Sequence, residues 1–210
     1  MKKYKYICIS GVDGSGKSTI TKALSNLLNE KNISNKIIWI RFKNYLSKIL
    51  LALTRVTGHN KKISINGKKY GVHNFYSNNI LSYIFLIVQF VDHVIFIIFY
   101  FHILNLITNK IIISDRGVPD TVVDWIVDTH KIKFSLFLGR LLLYLLPNSY
   151  YIYLYRDCEE IIRSRPDVLN DDKFYLRIKI YKMVVGNFFN CELYNSGVNS
   201  IIKKIYMKIK

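Results

Sequence analysis

Short apolar segments alternate along the chain with longer segments whose apolar residues recur at helical spacing. The first helical pattern covers residues 18–30. A closing helix is predicted from Asn199, after a turn at 195–197. The strand-like segments are rich in isoleucine and tyrosine and cover residues 4–10, 36–42, 110–114, 150–155 and, more briefly, 191–194. Strands that alternate with helices predict an α/β fold, in which helices wrap a parallel sheet of about five strands.

The length and the absence of a linker predict one domain that spans residues 1–210. Residues 56–79 interrupt the alternation, because they are rich in glycine, asparagine, lysine and histidine. We interpret them as a loop excursion. Ligands bind at the carboxyl ends of parallel strands, so this excursion is expected to lie on the substrate side.

The run Ile80–Ile107 is long and apolar enough to propose a membrane-spanning helix. Asp92 and His93 stand near its middle, with Gln89 close by, and such side chains are costly in a bilayer. We therefore predict one or two buried helices here. A peripheral membrane contact through Phe134–Leu146, which has basic flanks, stays open as an alternative.

The chain is strongly basic, with 31 lysine and arginine residues against 14 acidic ones. The lysines are spread along the chain, and the one dense cluster lies at 203–210. Spread charge favours a solvated basic surface over a nucleic-acid site. Cys8, Cys158 and Cys191 lie far apart without metal-ligand spacing, which indicates a reducing, cytoplasmic location and no zinc site.

Residues 11–18 read Gly-Val-Asp-Gly-Ser-Gly-Lys-Ser, a complete phosphate-binding loop between a predicted strand and a predicted helix. Its glycines let backbone amides point inward, and the helix N-terminus adds partial positive charge. Lys17 is expected to reach the β and γ phosphates of ATP, and Ser18 to bind Mg²⁺. The predicted nucleotide-binding residues are Gly11, Asp13, Gly14, Ser15, Gly16, Lys17, Ser18 and Thr19.

Asp115 and Arg116 directly follow the apolar strand predicted at 110–114. Next to a phosphate loop, an acid in this position is expected to hold Mg²⁺ together with Ser18. Arg116 is expected to clamp a phosphate.

The order and spacing of these motifs resemble the thymidylate kinase family of nucleoside monophosphate kinases. The resemblance runs nearly from end to end and rests on residues 11–19, 90–93, 115–116, 159–165 and 174–181. It implies a three-layer P-loop NTPase fold with a mobile lid, placed here at 156–173. It also implies transfer of the γ-phosphoryl group of ATP·Mg²⁺ to a nucleoside monophosphate, typically dTMP, and a homodimer formed through a helical face.

The resemblance also assigns roles to particular residues. Family members with glycine at position 14 supply catalytic arginines from the lid, which implies that Arg163 and Arg165 act together with Lys17, Asp115 and Arg116. Arg156 is a third candidate for a lid arginine. The implied acceptor-binding residues are Asp13, Arg41, Asp92 and Arg116. Arg41 enters this set because His93 stands where the family has an arginine for the acceptor phosphate.

The predicted base pocket departs from the family, because residues 120–125 differ from its base-reading segment. Trp125, Phe75 and Tyr76 are candidates to stack on a base, although each is more often a core residue. His93 is expected to be a buried, hydrogen-bonded histidine. Two other functions stay open: a membrane-peripheral nucleotide-binding protein without transfer activity, and a P-loop kinase of another small molecule.

Overall fold

A parallel sheet forms the centre of the structure, a computed structural model that describes residues 4–41, 44–58, 60–65, 68–104, 110–146 and 148–209. Seven strands are assigned within these ranges: β1 (Tyr6–Ser10), β2 (Asn35–Trp39), β3 (Asn60–Ile65), β4 (Lys68–His73), β5 (Ile111–Asp115), β6 (Ser149–Tyr155) and β7 (Cys191–Tyr194). Five of them form the sheet, in the order β2-β5-β1-β6-β7, and every pairing is parallel. The predicted α/β sheet is confirmed.

Helices cover both faces of this sheet. Eight α-helices are assigned in the described residues: α1 (Lys17–Glu30), α2 (Ser47–Val56), α3 (Asn79–Ile97), α4 (Val118–Thr129), α5 (Ile132–Tyr144), α6 (Cys158–Ser164), α7 (Phe174–Phe188) and α8 (Val198–Ile209). A π-helical segment, Ile98–Leu104, continues α3, and short 3-10 turns cover Phe75–Ser77 and Pro166–Asn170.

Alternate residues of the strands contribute to two separate cores. Ile7 and Ile9 of β1 pack with α1 and α8, whereas Tyr6 and Cys8 face the side that carries α3, α4, α5 and α7. Because both faces of β1 are covered, its sequence is apolar throughout and all five of its residues are buried. The result is the three-layer fold typical of P-loop NTPases.

Helix α4 is the most enclosed helix in the described ranges, since every one of its twelve residues is buried. It contacts α5 and α7 and lies against the sheet. Three aspartates, Asp120, Asp124 and Asp128, are therefore placed inside the protein at a spacing of four residues, along one face of the helix.

Residues 56–79 differ from the loop predicted for them. Asn60 pairs with His73 and Ile65 with Lys68, so β3 and β4 form an antiparallel hairpin outside the main sheet. The prediction of an irregular loop is therefore wrong for the two strand segments. Their alternating polar residues give a weak strand pattern, and the backbone pairing is what defines them.

The apolar run that begins at residue 80 forms one continuous helical rod, Asn79–Ile103, whose most apolar 18-residue window has a mean hydropathy of 2.3. By length and composition the rod could cross a membrane, but 39% of its most apolar window is buried within the protein. The buried face carries Gln89, Asp92 and His93. The prediction of a buried helix is thus correct for one face, and the opposite face is exposed. The end of the predicted run, residues 105–107, lies outside the described residues.

Candidate active site

The phosphate loop connects β1 to α1 at the carboxyl edge of the sheet. Its backbone is left-handed at Gly14, where φ is 88°, and a β-carbon there would lie 2.6 Å from Cγ2 of Ile161 in α6. A side chain at position 14 would therefore collide with the helix above the loop. The side-chain amide of Asn195 donates a hydrogen bond of 2.7 Å to the carbonyl oxygen of Ser15. The loop is thus held by α6 and by the turn after β7.

Lys17 extends back along the loop instead of into solvent. Its ammonium group donates a hydrogen bond of 2.7 Å to the carbonyl oxygen of Val12 and lies 3.8 Å from the carboxylate of Asp13. Only 5% of the side chain is exposed. Burial disfavours the charged form and lowers the pKa of Lys17 to about 8. An anion bound in the loop would favour the protonated form.

Ser18 and Asp115 join the first turn of α1 to the end of β5. The Ser18 hydroxyl donates a hydrogen bond to Oδ2 of Asp115, and Oδ1 of Asp115 is buried without a hydrogen-bond partner among the described residues. A hydroxyl beside a carboxylate with an unused oxygen fits Mg²⁺, which is commonly held by one or two protein oxygens together with phosphates and water. The structure therefore brings together the two predicted metal-binding residues.

Arg116 lies directly across the loop from this pair. Its backbone is left-handed, with φ at 77°, and its amide donates to the carbonyl oxygen of Ile9. The guanidinium group pairs with the carboxylate of Asp13 and lies 3.6 Å from that of Asp120. Two predicted acceptor-binding residues, Asp13 and Arg116, are therefore in direct contact.

Asp120 fixes the start of α4 beneath this pair. Its carboxylate accepts hydrogen bonds from the amide of Gly117 at 2.8 Å, the hydroxyl of Ser10 at 2.5 Å and the hydroxyl of Tyr181 at 2.6 Å. With three donors around it, a buried carboxylate is well satisfied. Asp120 therefore connects β1, the start of α4 and α7 at the edge of the site.

A cluster of two arginines and one carboxylate lies one helical turn further along α4. Asp124 accepts two hydrogen bonds from Arg41, at 2.7 and 2.9 Å, and another from Arg177 of α7. Burial alone would raise the pKa of Asp124, but the two guanidinium charges outweigh it and hold that pKa at about 2. Arg177 also pairs with Asp171, at 3.0 Å between Nε and Oδ2, so two carboxylates balance the two guanidinium charges.

Arg177 was missed as a site residue by the reasoning from sequence. The feature of the sequence that points to Arg177 is the spacing of two pairs of side chains on neighbouring helices. Arg177 and Tyr181 stand four residues apart on α7 and contact Asp124 and Asp120, which stand four residues apart on α4. The spacing shows that each pair shares a helix face, whereas the contact between the helices depends on the fold.

The two predicted lid arginines lie at the end of α6 and just beyond it. Arg163 is exposed, and Arg165 forms two hydrogen bonds with Asp167, of 3.1 and 2.6 Å. The β-carbon of Arg165 is 3.9 Å from the position that a β-carbon of Gly14 would take. The backbone of Arg165 is therefore close to the loop, while its guanidinium group is turned toward Asp167.

Asp92 lies outside this group of residues. Its fully buried carboxylate accepts hydrogen bonds from the amides of Tyr45, Leu46 and Ser47, and from the Ser47 hydroxyl. It thus satisfies free backbone donors where α2 begins. The structure gives Asp92 this capping contact and does not bring it to Arg116.

His93 is buried and hydrogen-bonded, as predicted. Nδ1 lies 2.8 Å from the carbonyl oxygen of Gln89, and Nε2 lies 3.2 Å from the hydroxyl of Thr121. The ring also meets Trp125 edge to face, at 5.8 Å between centroids. These contacts place His93 between α3 and α4, as part of the core.

The three candidate stacking residues have different surroundings. Phe75 is fully buried, and Tyr76 stacks on His130 with ring centroids 4.4 Å apart. Trp125 is also buried, and its indole nitrogen has no hydrogen-bond partner among the described residues. It lines a cavity of about 10 Å³ together with Gln89 and Asp124, among others. This volume suits a single water molecule.

Thr19 completes the predicted loop residues and is exposed in the first turn of α1. No group of three or more histidine, cysteine or acidic side chains that could hold a metal occurs within the described ranges.

A scan of the sequence against models of protein families finds no match, and a search of curated proteins finds none either.

Proposed function

We propose that the protein is a thymidylate-kinase-like enzyme, which transfers the γ-phosphoryl group of ATP to a nucleoside monophosphate, with dTMP as the expected acceptor. The observation that carries the proposal is the convergence of three groups at the carboxyl ends of β1 and β5. These groups are the Lys17 ammonium, the Ser18–Asp115 pair and the Arg116–Asp13 pair. In the proposed reaction they would make the donor, metal and acceptor contacts that phosphoryl transfer needs.

On the donor side, the loop amides and Lys17 would bind the β and γ phosphates of ATP. Ser18 and Asp115 would hold Mg²⁺, which neutralises phosphate charge when it is bound. The low pKa of Lys17 reflects a cation that burial has destabilised, so bound phosphate would add an anionic partner closer than the Asp13 carboxylate at 3.8 Å. Its contact with Val12 would then be exchanged for contacts with the nucleotide.

On the acceptor side, Arg116 and Arg41 would bind the phosphate of the monophosphate, and Arg177 joins them. In this structure Asp124 accepts hydrogen bonds from Nε and Nη2 of Arg41 and from Arg177. A phosphate and a carboxylate both accept paired hydrogen bonds from a guanidinium group. We infer that Arg41 would bind both the acceptor phosphate and Asp124. Arg41 would then take the role of the family arginine whose position is occupied here by His93.

The lid arginines would contact the transferred phosphoryl group only after both nucleotides have bound. Closure of α6 over the loop would bring Arg163 and Arg165 toward the transferred phosphoryl group and exclude water from it. Arg165 would leave Asp167 in that movement, and the cost is small because the pair is exposed.

A kinase of a small non-nucleotide molecule is a second candidate, favoured by the cavity beside Trp125. At about 10 Å³ this cavity is far smaller than a nucleobase. A nucleobase that binds there would need Trp125 or α3 to move. The homodimer and the cytoplasmic location expected from the sequence stay predictions.

The test is an assay with ATP·Mg²⁺ and a panel of acceptors, namely the four deoxynucleoside monophosphates, dUMP and phosphorylated sugars. The proposal predicts a diphosphate product from at least one nucleoside monophosphate, with dTMP the fastest. Reaction of a sugar phosphate alone would favour the second candidate. ATP binding without any transfer would favour the nucleotide-binding protein and refute both kinases.

A further inference from the structure

The outer face of α3 exposes a continuous apolar stripe. Its members recur every three or four residues, so they lie on one side of the helix and its π-helical continuation. The least exposed is Val91 at 37% and the most exposed is Ile80 at 72%. The stripe consists of Ile80, Ile84, Ile87, Val91, Ile95 and Phe99.

The two helices beside α3 extend this surface. Helix α2 contacts α3 and exposes Ile49, Leu53 and Val56, and α5 also contacts α3. The exposed apolar residues of α5 include Phe137 and Tyr144. Both sets recur at spacings of three, four or seven residues, which keeps each set on one helix face. Exposed apolar side chains that gather on neighbouring helices mark an interaction site more often than single scattered ones do.

The charges on the same three helices have one sign. Of the 14 acidic residues in the chain, Asp92 alone belongs to α2, to the rod Asn79–Ile103 or to α5, and it is fully buried. Lys48 and Arg55 of α2 are exposed, as are Lys133 and Arg140 of α5. The two helices that contact α3 therefore expose cations and no carboxylate, although Arg140 donates a hydrogen bond of 2.6 Å to Asn187 of α7.

We propose that this face, formed by α2, α3 and α5, binds the surface of an anionic lipid bilayer. Apolar side chains enter the boundary between headgroups and acyl chains, and the bordering lysines and arginines contact anionic headgroups. A second copy of the chain fits the charges less well. A two-fold interface brings the same face of both copies together, and α2, the rod and α5 expose no carboxylate that could pair with these cations.

The rod lies on the bilayer and does not cross it. Its 25 residues span about 37 Å, which is long enough to cross, but its other face is part of the protein core. Asp92 on that face accepts hydrogen bonds from the start of α2, and His93 contacts Thr121 of α4. Crossing would break these contacts, whereas surface binding keeps them. The proposal holds whether or not the protein is a kinase.

The experiment is co-sedimentation of the full chain with vesicles of phosphatidylcholine, with and without phosphatidylglycerol. We expect binding to the anionic vesicles that weakens with added salt. The double variant Ile87→Glu, Ile95→Glu should lose at least about tenfold in partition, because two apolar side chains no longer enter the bilayer. The matched control is Met207→Glu, on exposed α8 across the sheet, which should bind normally.

A second variant tests the charges and leaves the apolar stripe intact. Lys48→Gln with Lys133→Gln should weaken partition roughly fivefold for each lysine removed. If circular dichroism shows that the glutamate variant is unfolded, the glutamine variant still tests whether this face binds the bilayer. Failure of the wild-type chain to bind anionic vesicles overturns the proposal, as does equal binding by the folded variants. A dimer that Ile87→Glu disrupts, without vesicle binding, would assign the face to a second copy.

Discussion

Arg41 and Asp124 form a two-pronged ion pair across the site, with hydrogen bonds of 2.7 and 2.9 Å from the guanidinium group to the two carboxylate oxygens. Arg41 follows β2, and Asp124 lies in the buried helix α4, so the pair ties the edge of the sheet to the interior. Arg177 shares the same carboxylate. Asp124 thus holds two cations of the proposed acceptor site in place when no acceptor is bound.

Loss of this carboxylate charge should destabilise the protein. In Asp124→Asn, the largely buried Arg41 loses the carboxylate that it contacts and Arg177 keeps only Asp171, so we expect the free energy of unfolding to fall by about 3 kcal/mol. Urea denaturation of both proteins at neutral pH measures this difference in the free energy of unfolding. The control is Asp167→Asn, which removes an exposed partner of Arg165 and should cost less than about 1 kcal/mol. Equal losses in the two variants would show that the Asp124 cluster contributes no more than a surface pair.

The affinity for ATP should depend on pH through Lys17. The pKa of Lys17 is about 8 in the free protein, and bound phosphate favours the ammonium form. Affinity is therefore constant below pH 8 and falls above it, by up to about tenfold per pH unit, because binding then requires proton uptake. Calorimetric titration across this range gives the profile. Lys17→Met should bind weakly with a flat profile, and a flat profile in the wild-type protein would contradict this role.

Removal of the Asp115 charge should weaken the dependence of ATP binding on Mg²⁺. Asp115→Asn keeps the shape of the side chain but loses the carboxylate whose Oδ1 has no partner in the described structure. We expect the Mg²⁺ concentration needed for half-maximal ATP stabilisation to rise on the order of tenfold. Thermal unfolding with ATP and increasing Mg²⁺ measures it. Asp172→Asn, on the exposed surface, should behave as the wild type.

The lid arginines should affect turnover more than binding. Replacement of Arg163 and Arg165 by alanine removes cations that would meet the phosphoryl group only in the closed state. Turnover should then fall by a factor on the order of 10³, with little change in the Kd for ATP. Stopped assays and calorimetry measure the two quantities separately. Arg55→Ala is a matched control on exposed α2, and an unchanged turnover in the lid variant would exclude this role for both arginines.

The sequence was sufficient to predict those parts of the site that are local in the chain. The phosphate loop follows a strand and precedes a helix, and Asp115 ends a strand, so their positions follow from apolar patterns. Parallel strands then bring the loop and Asp115 to one edge of the sheet, as β1 and β5 are neighbours. The α/β fold was predictable for the same reason, since each element has a clear period.

Contacts between distant segments could not be predicted in this way. Asp92 was expected to meet the acceptor, but its position opposite residues 45–47 depends on how α2 packs on α3. The pairing of Arg177 with Asp124 depends in the same way on α7 lying beside α4. The exposed side of α3 was also not apparent, because a helix that is apolar nearly all round gives little indication of which face is buried.

The most direct test of the proposed function is transfer of a radiolabelled γ-phosphoryl group from ATP·Mg²⁺ to dTMP, followed by separation of the nucleotides. The proposal predicts label in dTDP with the wild-type protein. It predicts a loss of at least about 10³-fold with Arg116→Ala, under conditions in which ATP still binds. Label that stays in ATP or appears only as inorganic phosphate, for dTMP and for every other nucleoside monophosphate, would contradict it.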